Sequence, residues 1–200
     1  MFNERFARKL ARRYRKRGLD EVAQRLVDAV RVREGESVLE IGGGIGAIDL
    51  ELLRAGAERA TNVELSTAYE EHGRALFEQA GLADRIDWRY GNIATDAELA
   101  PAADIVVLNR VVCCYPDMPS LVGAAAAKAR RVLALSFPRD TWLMRMGGRA
   151  INAWCRLRRS EFRFFVHPPP AIVATARERG LQLVGEHEGR IWQTVALERA

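Results

Sequence analysis

Two acids and a cluster of glycines are the residues of this 200-residue chain whose types and spacing most directly suggest chemistry. The segment VLEIGGGIG, residues 38–46, carries Glu40 at the end of an apolar run and follows it with Gly42, Gly43, Gly44 and Gly46. Glycine at such a turn lets the backbone bend sharply and approach a ligand closely, because no Cβ intrudes. The helix expected next would aim free N–H groups at that ligand. Gly42, Gly44 and Ala47 also satisfy the dinucleotide fingerprint G-x-G-x-x-G/A, so the glycines alone leave two ligand classes open. Glu64 ends a second apolar run about 20 residues after the turn, where a carboxylate can accept hydrogen bonds from both hydroxyls of a ribose. Glu40 separates the classes better: an acid two residues before the first glycine suits a cationic ligand end and repels a pyrophosphate.

These residues need elements to position them. Short apolar runs at 37–41, 60–64, 86–90, 104–108 and 131–137 alternate with helical stretches at 47–55, up to about 80, and at 121–128. Strands alternating with helices imply a parallel sheet covered on both faces. The end breaks the rhythm: after a helix over 169–179, apolar stretches at 181–185 and 190–197 are joined by a polar turn, 186–189, too short for anything but an antiparallel pair. The expected fold is a doubly wound α/β domain, mostly parallel and seven-stranded, finished by a C-terminal antiparallel hairpin. Ahead of it, Phe2, Phe6, Leu10 and Tyr14 recur every four residues along one helical stripe. Gly18 is expected to end that helix, and Asp20 to cap a second one with a face of Val22, Leu26 and Val30.

The whole chain reads as one domain, 1–200: a helical lid at 1–35, a ligand-binding core at 36–138, an insertion at 139–168, and a helix and hairpin at 169–200. With 48% hydrophobic and 28% charged residues it is globular in composition. No apolar run approaches the roughly 20 residues of a membrane helix, and the charged start has no apolar core for a secretory signal, so a cytoplasmic address is expected. Cys113, Cys114, Cys155 and three scattered histidines match neither a disulfide framework nor a zinc site; no metal is expected. Charge is uneven. Residues 1–33 hold 11 Lys/Arg against 4 Asp/Glu, residues 139–167 hold 7 against 2, and the rest of the chain is acidic. Two basic segments on an acidic body could steer an anionic substrate, nucleic acid or a membrane surface to one face, or could simply solubilise exposed helices.

On these motifs the chain resembles the class I methyltransferases that use S-adenosylmethionine. VLEIGGGIG is similar to their E/D-x-G-x-G-x-G turn, NVELS to their second-strand acid, YGNIA to the turn that reaches the adenine, and ADIVVLNRVVCCYP to their fourth strand. The resemblance implies that Glu40 with Gly42, Gly43, Gly44 and Gly46 holds the methionine portion, Glu64 the ribose, and Asn92 with Ile93 the adenine, with Leu65 also among the cofactor-binding residues. It places Asn109, Arg110 and Val111 beside the sulfonium and Tyr14 on a helix closing over the cofactor. Asn92 stands where aspartate is commoner, and its amide can still bond the adenine amino group. A narrower resemblance, through VVCCYPD, ARRVLALSFPRDTWLMR and FRFFVHPP, is to the magnesium-protoporphyrin O-methyltransferases, which carry a histidine where this chain has Cys114.

Transfer to a small-molecule acceptor is the expected activity, with O-methylation of an aromatic or carboxyl-bearing metabolite as its form. Where the acceptor needs a general base, Tyr115, His167 and Tyr14 are the candidates. In the insertion, Trp142 and Trp154 could pack an apolar acceptor while Arg145 and Arg149 pair its charge. A nicotinamide oxidoreductase would explain the glycines and Glu64 but not Glu40 or the hairpin. A nucleic-acid methyltransferase would explain the basic arms, but neither a base-flipping N-P-P-[YF] motif nor an RNA-binding module is present. A non-catalytic member of the fold would fail to bind the cofactor.

Overall fold

The computed structural model describes residues 4–200; Phe2, the expected head of the first stripe, lies outside them. Two helices lead, α1 (Glu4–Arg17) and α2 (Glu21–Val30). Gly18 turns the chain between them at φ +67, donating its N–H to the Tyr14 carbonyl at 2.8 Å, and Asp20 caps α2 by accepting from the Ala23 N–H at 3.1 Å. The expected faces hold at Tyr14 of α1 and at Leu26 and Val30 of α2, while the rest of the α1 stripe moves one position along, from Phe6 and Leu10 to Ala7 and Ala11. Helix α1 buries Ala7, Ala11 and Tyr14, and α2 buries Ala23, Leu26 and Val30 with Val22 only partly covered. Alanine has no bulk to hold a helix off, so α1 lies close to the body and Phe6 and Leu10 overhang a cavity instead.

Seven strands follow: β1 (Ser37–Ile41), β2 (Arg59–Glu64), β3 (Ile86–Tyr90), β4 (Ala103–Asn109), β5 (Ala129–Pro138), β6 (Leu181–Glu188) and β7 (Trp192–Arg199). They form one sheet in the order β3-β2-β1-β4-β5-β7-β6. Every neighbouring pair from β3 to β5 is parallel, and β7 is antiparallel to both β5 and β6. The connections are α3 (Ala47–Arg54), α4 (Glu70–Ala80), α5 (Met118–Lys128), α6 (Trp142–Leu157) and α7 (Pro169–Arg177). Alternation along the strands feeds two cores. Leu39, Val106, Leu108, Leu133 and Leu135 join α5 and α7 on one face, while Val38, Ile105, Val107 and Val132 join α1 to α4 on the other. With both faces covered, the central strands read as near-continuous apolar runs.

The architecture expected from the sequence is the one found, and the hairpin turn is where the reading slipped. Glu186, His187 and Glu188 belong to β6, and the turn is 189–191, closed by the Gly189 N–H donating to the Trp192 carbonyl at 2.9 Å. β6 is an edge strand whose outer half is exposed, so its residues are as polar as a turn's. The order of the sheet reverses at β1, between β2 and β4. In open α/β sheets the crevice at such a reversal, beyond the carboxyl ends of the strands, is where ligands bind.

Candidate functional site

A cavity of about 450 Å3 opens at that crevice. Its floor is the turn after β1, its sides are the ends of β2, β3 and β4, and α1 with the start of α2 roofs it. The glycines divide by what they do. A Cβ on Gly42 would come within 2.5 Å of Val111, and one on Gly43 within 2.3 Å of Asn62, so both are demanded by packing of the turn against its neighbours. On Gly44 it would meet nothing nearer than the Tyr69 ring at 3.7 Å; there the left-handed φ of +57 strains any residue with a Cβ and favours glycine. Gly46 starts α3 at φ +69, with Phe77 and Trp88 closed against it.

Glu64, at the end of β2, reaches back over this turn. One carboxylate oxygen accepts from the Gly44 N–H at 3.1 Å and the other from the N–H groups of Leu65 at 2.8 Å and Ser66 at 3.2 Å. Burial raises its pKa and these three donors oppose the rise. Each oxygen keeps lone-pair capacity toward the cavity. On the next turn the Asn92 carbonyl oxygen accepts from the Ala94 N–H at 3.1 Å, and its amide donates to the Tyr115 hydroxyl at 3.0 Å, tying the loops after β3 and β4 together. His167 stacks beside Phe165 and sets its Nε2 3.0 Å from the Tyr115 carbonyl, holding the same loop from behind.

Beneath the turn lies a buried polar cluster. Glu40 accepts from the Asp49 N–H at 3.3 Å, and Asp49 accepts from the Asn62 amide at 2.9 Å. Burial first, then the charge of Asp49, pushes the Glu40 carboxyl well up; burial likewise raises Asp49, up to about 7, against the bonds from Asn62 and Glu40. Two carboxyls this close and this dry do not both ionise readily, so they hold a proton between them. One Asp49 oxygen and the Asn62 carbonyl oxygen have no protein partner.

The roof is locked by charge. Arg110, at a left-handed φ of +61 after β4, donates to both oxygens of Asp20 at 2.7 and 3.1 Å and lies over the Trp192 ring at 5.0 Å. Its own N–H donates to the Ser136 hydroxyl at 2.8 Å, which in turn donates to Asn109. Tyr14 turns its hydroxyl away to donate to Glu51 and accept from Arg54 at 3.1 Å, pinning α1 to α3. Burial and that acid push the phenol pKa up, so it stays protonated.

Compared with known families, residues 9–186 match the one described as a methyltransferase domain. The chain belongs to the class I methyltransferases. In this family the methyl donor is S-adenosylmethionine. An 80-residue stretch is 36% identical to the ubiquinone/menaquinone biosynthesis C-methyltransferase UbiE of Roseobacter denitrificans, covering 40% of this chain and 30% of that one. A 108-residue stretch is 30% identical to ribosomal RNA small subunit methyltransferase A of Maridesulfovibrio salexigens, covering 47% and 41%. The chain thus spans between about a third and two fifths of the curated relatives it matches. Among solved structures, magnesium protoporphyrin IX methyltransferase of Synechocystis, with bound S-adenosylhomocysteine, superposes with a TM-score of 0.70 at 19% identity over 89% of this chain and 83% of that one.

Of the residues read from sequence as this family's cofactor site, Tyr14, Glu40, Gly42, Gly43, Gly44, Glu64, Leu65, Asn92, Ile93, Asn109, Arg110 and Val111 all line the one cavity, as does Tyr115. Gly46 does not; it serves the packing of α3 and α4. His167, Trp142, Trp154, Arg145 and Arg149 are also absent from the lining. Arg145 is an exposed partner of Asp140, and both tryptophans face solvent. Sequence reasoning missed Asp49, Asn62, Tyr69 and the second role of Asp20. Asn62 left a signal, since an amide in the middle of a strand buried on both faces needs a polar partner. Asp20 left none, because its bond to Arg110 spans 90 residues.

Proposed function

We propose that this chain transfers a methyl group from S-adenosylmethionine to a small-molecule acceptor, with O-methylation of an aromatic or carboxyl-bearing metabolite as the specific form. The observation that carries the proposal is the placement of two acids, Glu40 and Glu64, on either side of a glycine turn in a single cavity, Glu64 with free acceptor capacity toward it and Glu40 buried beneath the turn. The residues fit the cofactor. Glu64 would take the ribose hydroxyls, Gly44 leaves the space they need, Asn92 with Ile93 would hold the adenine, Leu65 would line the cofactor's place, and Glu40 would face the ammonium group. Asn109, Arg110 and Val111 would flank the sulfonium through their backbone, since the Arg110 guanidinium is committed to Asp20.

When bound, the cofactor supplies an electrophilic methyl group on sulfur, and the acceptor supplies the nucleophile. The chain's contribution is alignment in a site from which α1 excludes water. The Tyr115 hydroxyl, which accepts from Asn92, keeps its own proton to donate, and we assign it to orienting the acceptor, with His167 positioning its loop. The test is isothermal titration with S-adenosylhomocysteine and, in parallel, NADH. Micromolar binding of the former, weakened roughly 100- to 10,000-fold by Glu64→Ala as two charge-assisted bonds are lost, supports the reading. Binding of NADH alone overturns it.

A further inference from the structure

Helix α6 is amphipathic in the wrong sense for a helix that packs on its own domain. Its body-facing side is made of Gly148 and Cys155, both buried, with Met144 and Asn152 half-buried beside them. Gly148 lies against Phe164, and Asn152 exchanges two hydrogen bonds with the Phe164 backbone at 2.7 and 2.8 Å. At 100° per residue the opposite face carries Trp142, Leu143, Met146, Trp154 and Leu157, exposed by 71, 63, 55, 57 and 77%. None of these lines the cavity. So many large apolar side chains contiguous on one solvent face mark an interaction surface.

The charge around that face says what kind. Arg145, Arg149 and Arg156 run along one border of the apolar stripe; Arg158 lies on the other, its guanidinium 4.6 Å from the Trp154 ring centre. α6 contains no acid, and of the five arginines between 142 and 159 only Arg145 has an ion-pair partner among the described residues, Asp140. A second copy docked isologously would set this cationic helix against its own like charge. Tryptophans toward both ends of an apolar face bordered by arginines instead suit a helix lying in a headgroup layer, rings at the acyl boundary and guanidiniums among phosphates. We propose that α6 is a monotopic anchor that seats this protein on an anionic lipid bilayer. The proposal stands on α6 alone and does not depend on the methyl-transfer reading.

Flotation of the full chain, without cofactor, with phosphatidylcholine vesicles that either lack or contain about a quarter phosphatidylglycerol tests it. The expected result is flotation with the anionic vesicles, weakened by salt and accompanied by a blue shift of tryptophan emission. The triple variant Trp142→Ser, Leu143→Ser, Trp154→Ser should lower partitioning at least about tenfold. The variant Arg145→Gln, Arg149→Gln, Arg156→Gln should abolish the preference for anionic lipid. All six positions are exposed, so an unchanged melting temperature shows the variants are folded. Flotation with neither vesicle at low salt, or flotation that the serine variant leaves intact, overturns the proposal. So does a vesicle-independent dimer that the serine variant dissolves, which would assign the face to a second copy.

Discussion

Glu40 and Asp49 share a dry site, and their chemistry should be visible in the stability of the ligand-free protein. Both carboxyls have folded pKa values above their ordinary 4.5 and 3.8, so the folded chain holds a proton that the unfolded chain releases. Their contribution is greatest below the unfolded values and is lost as pH rises toward and beyond about 7. Asp20 works in the opposite direction. Burial pushes it up, but its bonds to Arg110 and the Ala23 N–H more than offset this, so its contribution fades only as pH falls below the ordinary 3.8. Between about pH 5 and 8 the melting temperature should therefore decline, and Asp49→Asn, which keeps the shape and can donate to Glu40, should flatten the decline and gain about 1–3 kcal/mol at the alkaline end. Thermal scans of both proteins across that range check this. The glycines make a second residue-scale test. Gly46→Ala, at φ +69 with its Cβ 2.9 Å from Phe77, should cost about 2–4 kcal/mol. Gly44→Ala should cost only about 1–2 kcal/mol, from its dihedral, yet abolish S-adenosylhomocysteine binding because its Cβ enters the ligand space. Denaturant melts beside titrations separate the two.

At the scale of elements, the roof over the cavity depends on one acid. Asp20 caps α2 and pairs with Arg110 in the loop after β4, so the roof and one side of the site meet in it. Asp20→Asn retains the cap and loses the charge; it should cost about 1–2 kcal/mol, while Asp20→Ala, losing both, should cost about 2–3 kcal/mol. Protease cleavage within α1 should accelerate in both variants and slow again on adding S-adenosylhomocysteine, whose binding holds the roof closed. The cap was readable from Asp20 following Gly18, for capping is local. The ion pair was not, because nothing in a strand-to-loop junction announces which distant helix will fold over it. The same limit explains α1, where periodicity named Phe6 and Leu10 as the inward stripe. The body accepts the alanines one position along, leaving the larger side chains for the cavity.

For the molecule as a whole, ligand linkage offers a direct measure of the site. S-adenosylhomocysteine at about 100 times its Kd should stabilise the fold by about 2.7 kcal/mol, or roughly 5–10 °C in Tm for a chain of this size, and NADH at the same concentration should do nothing. The distribution of charge is a whole-molecule property as well: basic residues gather in α1 and around α6, and the rest of the chain is net acidic. The sequence alone determined the alternation of strands and helices, the reversal of the last hairpin, and the grouping of Glu40, the glycines, Glu64 and Asn92. Each follows from period, turn chemistry or position at a strand end, and a parallel sheet carries all its strand ends to one edge. Only the tertiary structure decided that Glu40 shares its site with Asp49, that Arg110 turns to Asp20, and that α6 faces outward. Those depend on which side chains meet across distant stretches of chain and on which face of an amphipathic helix the body leaves room for.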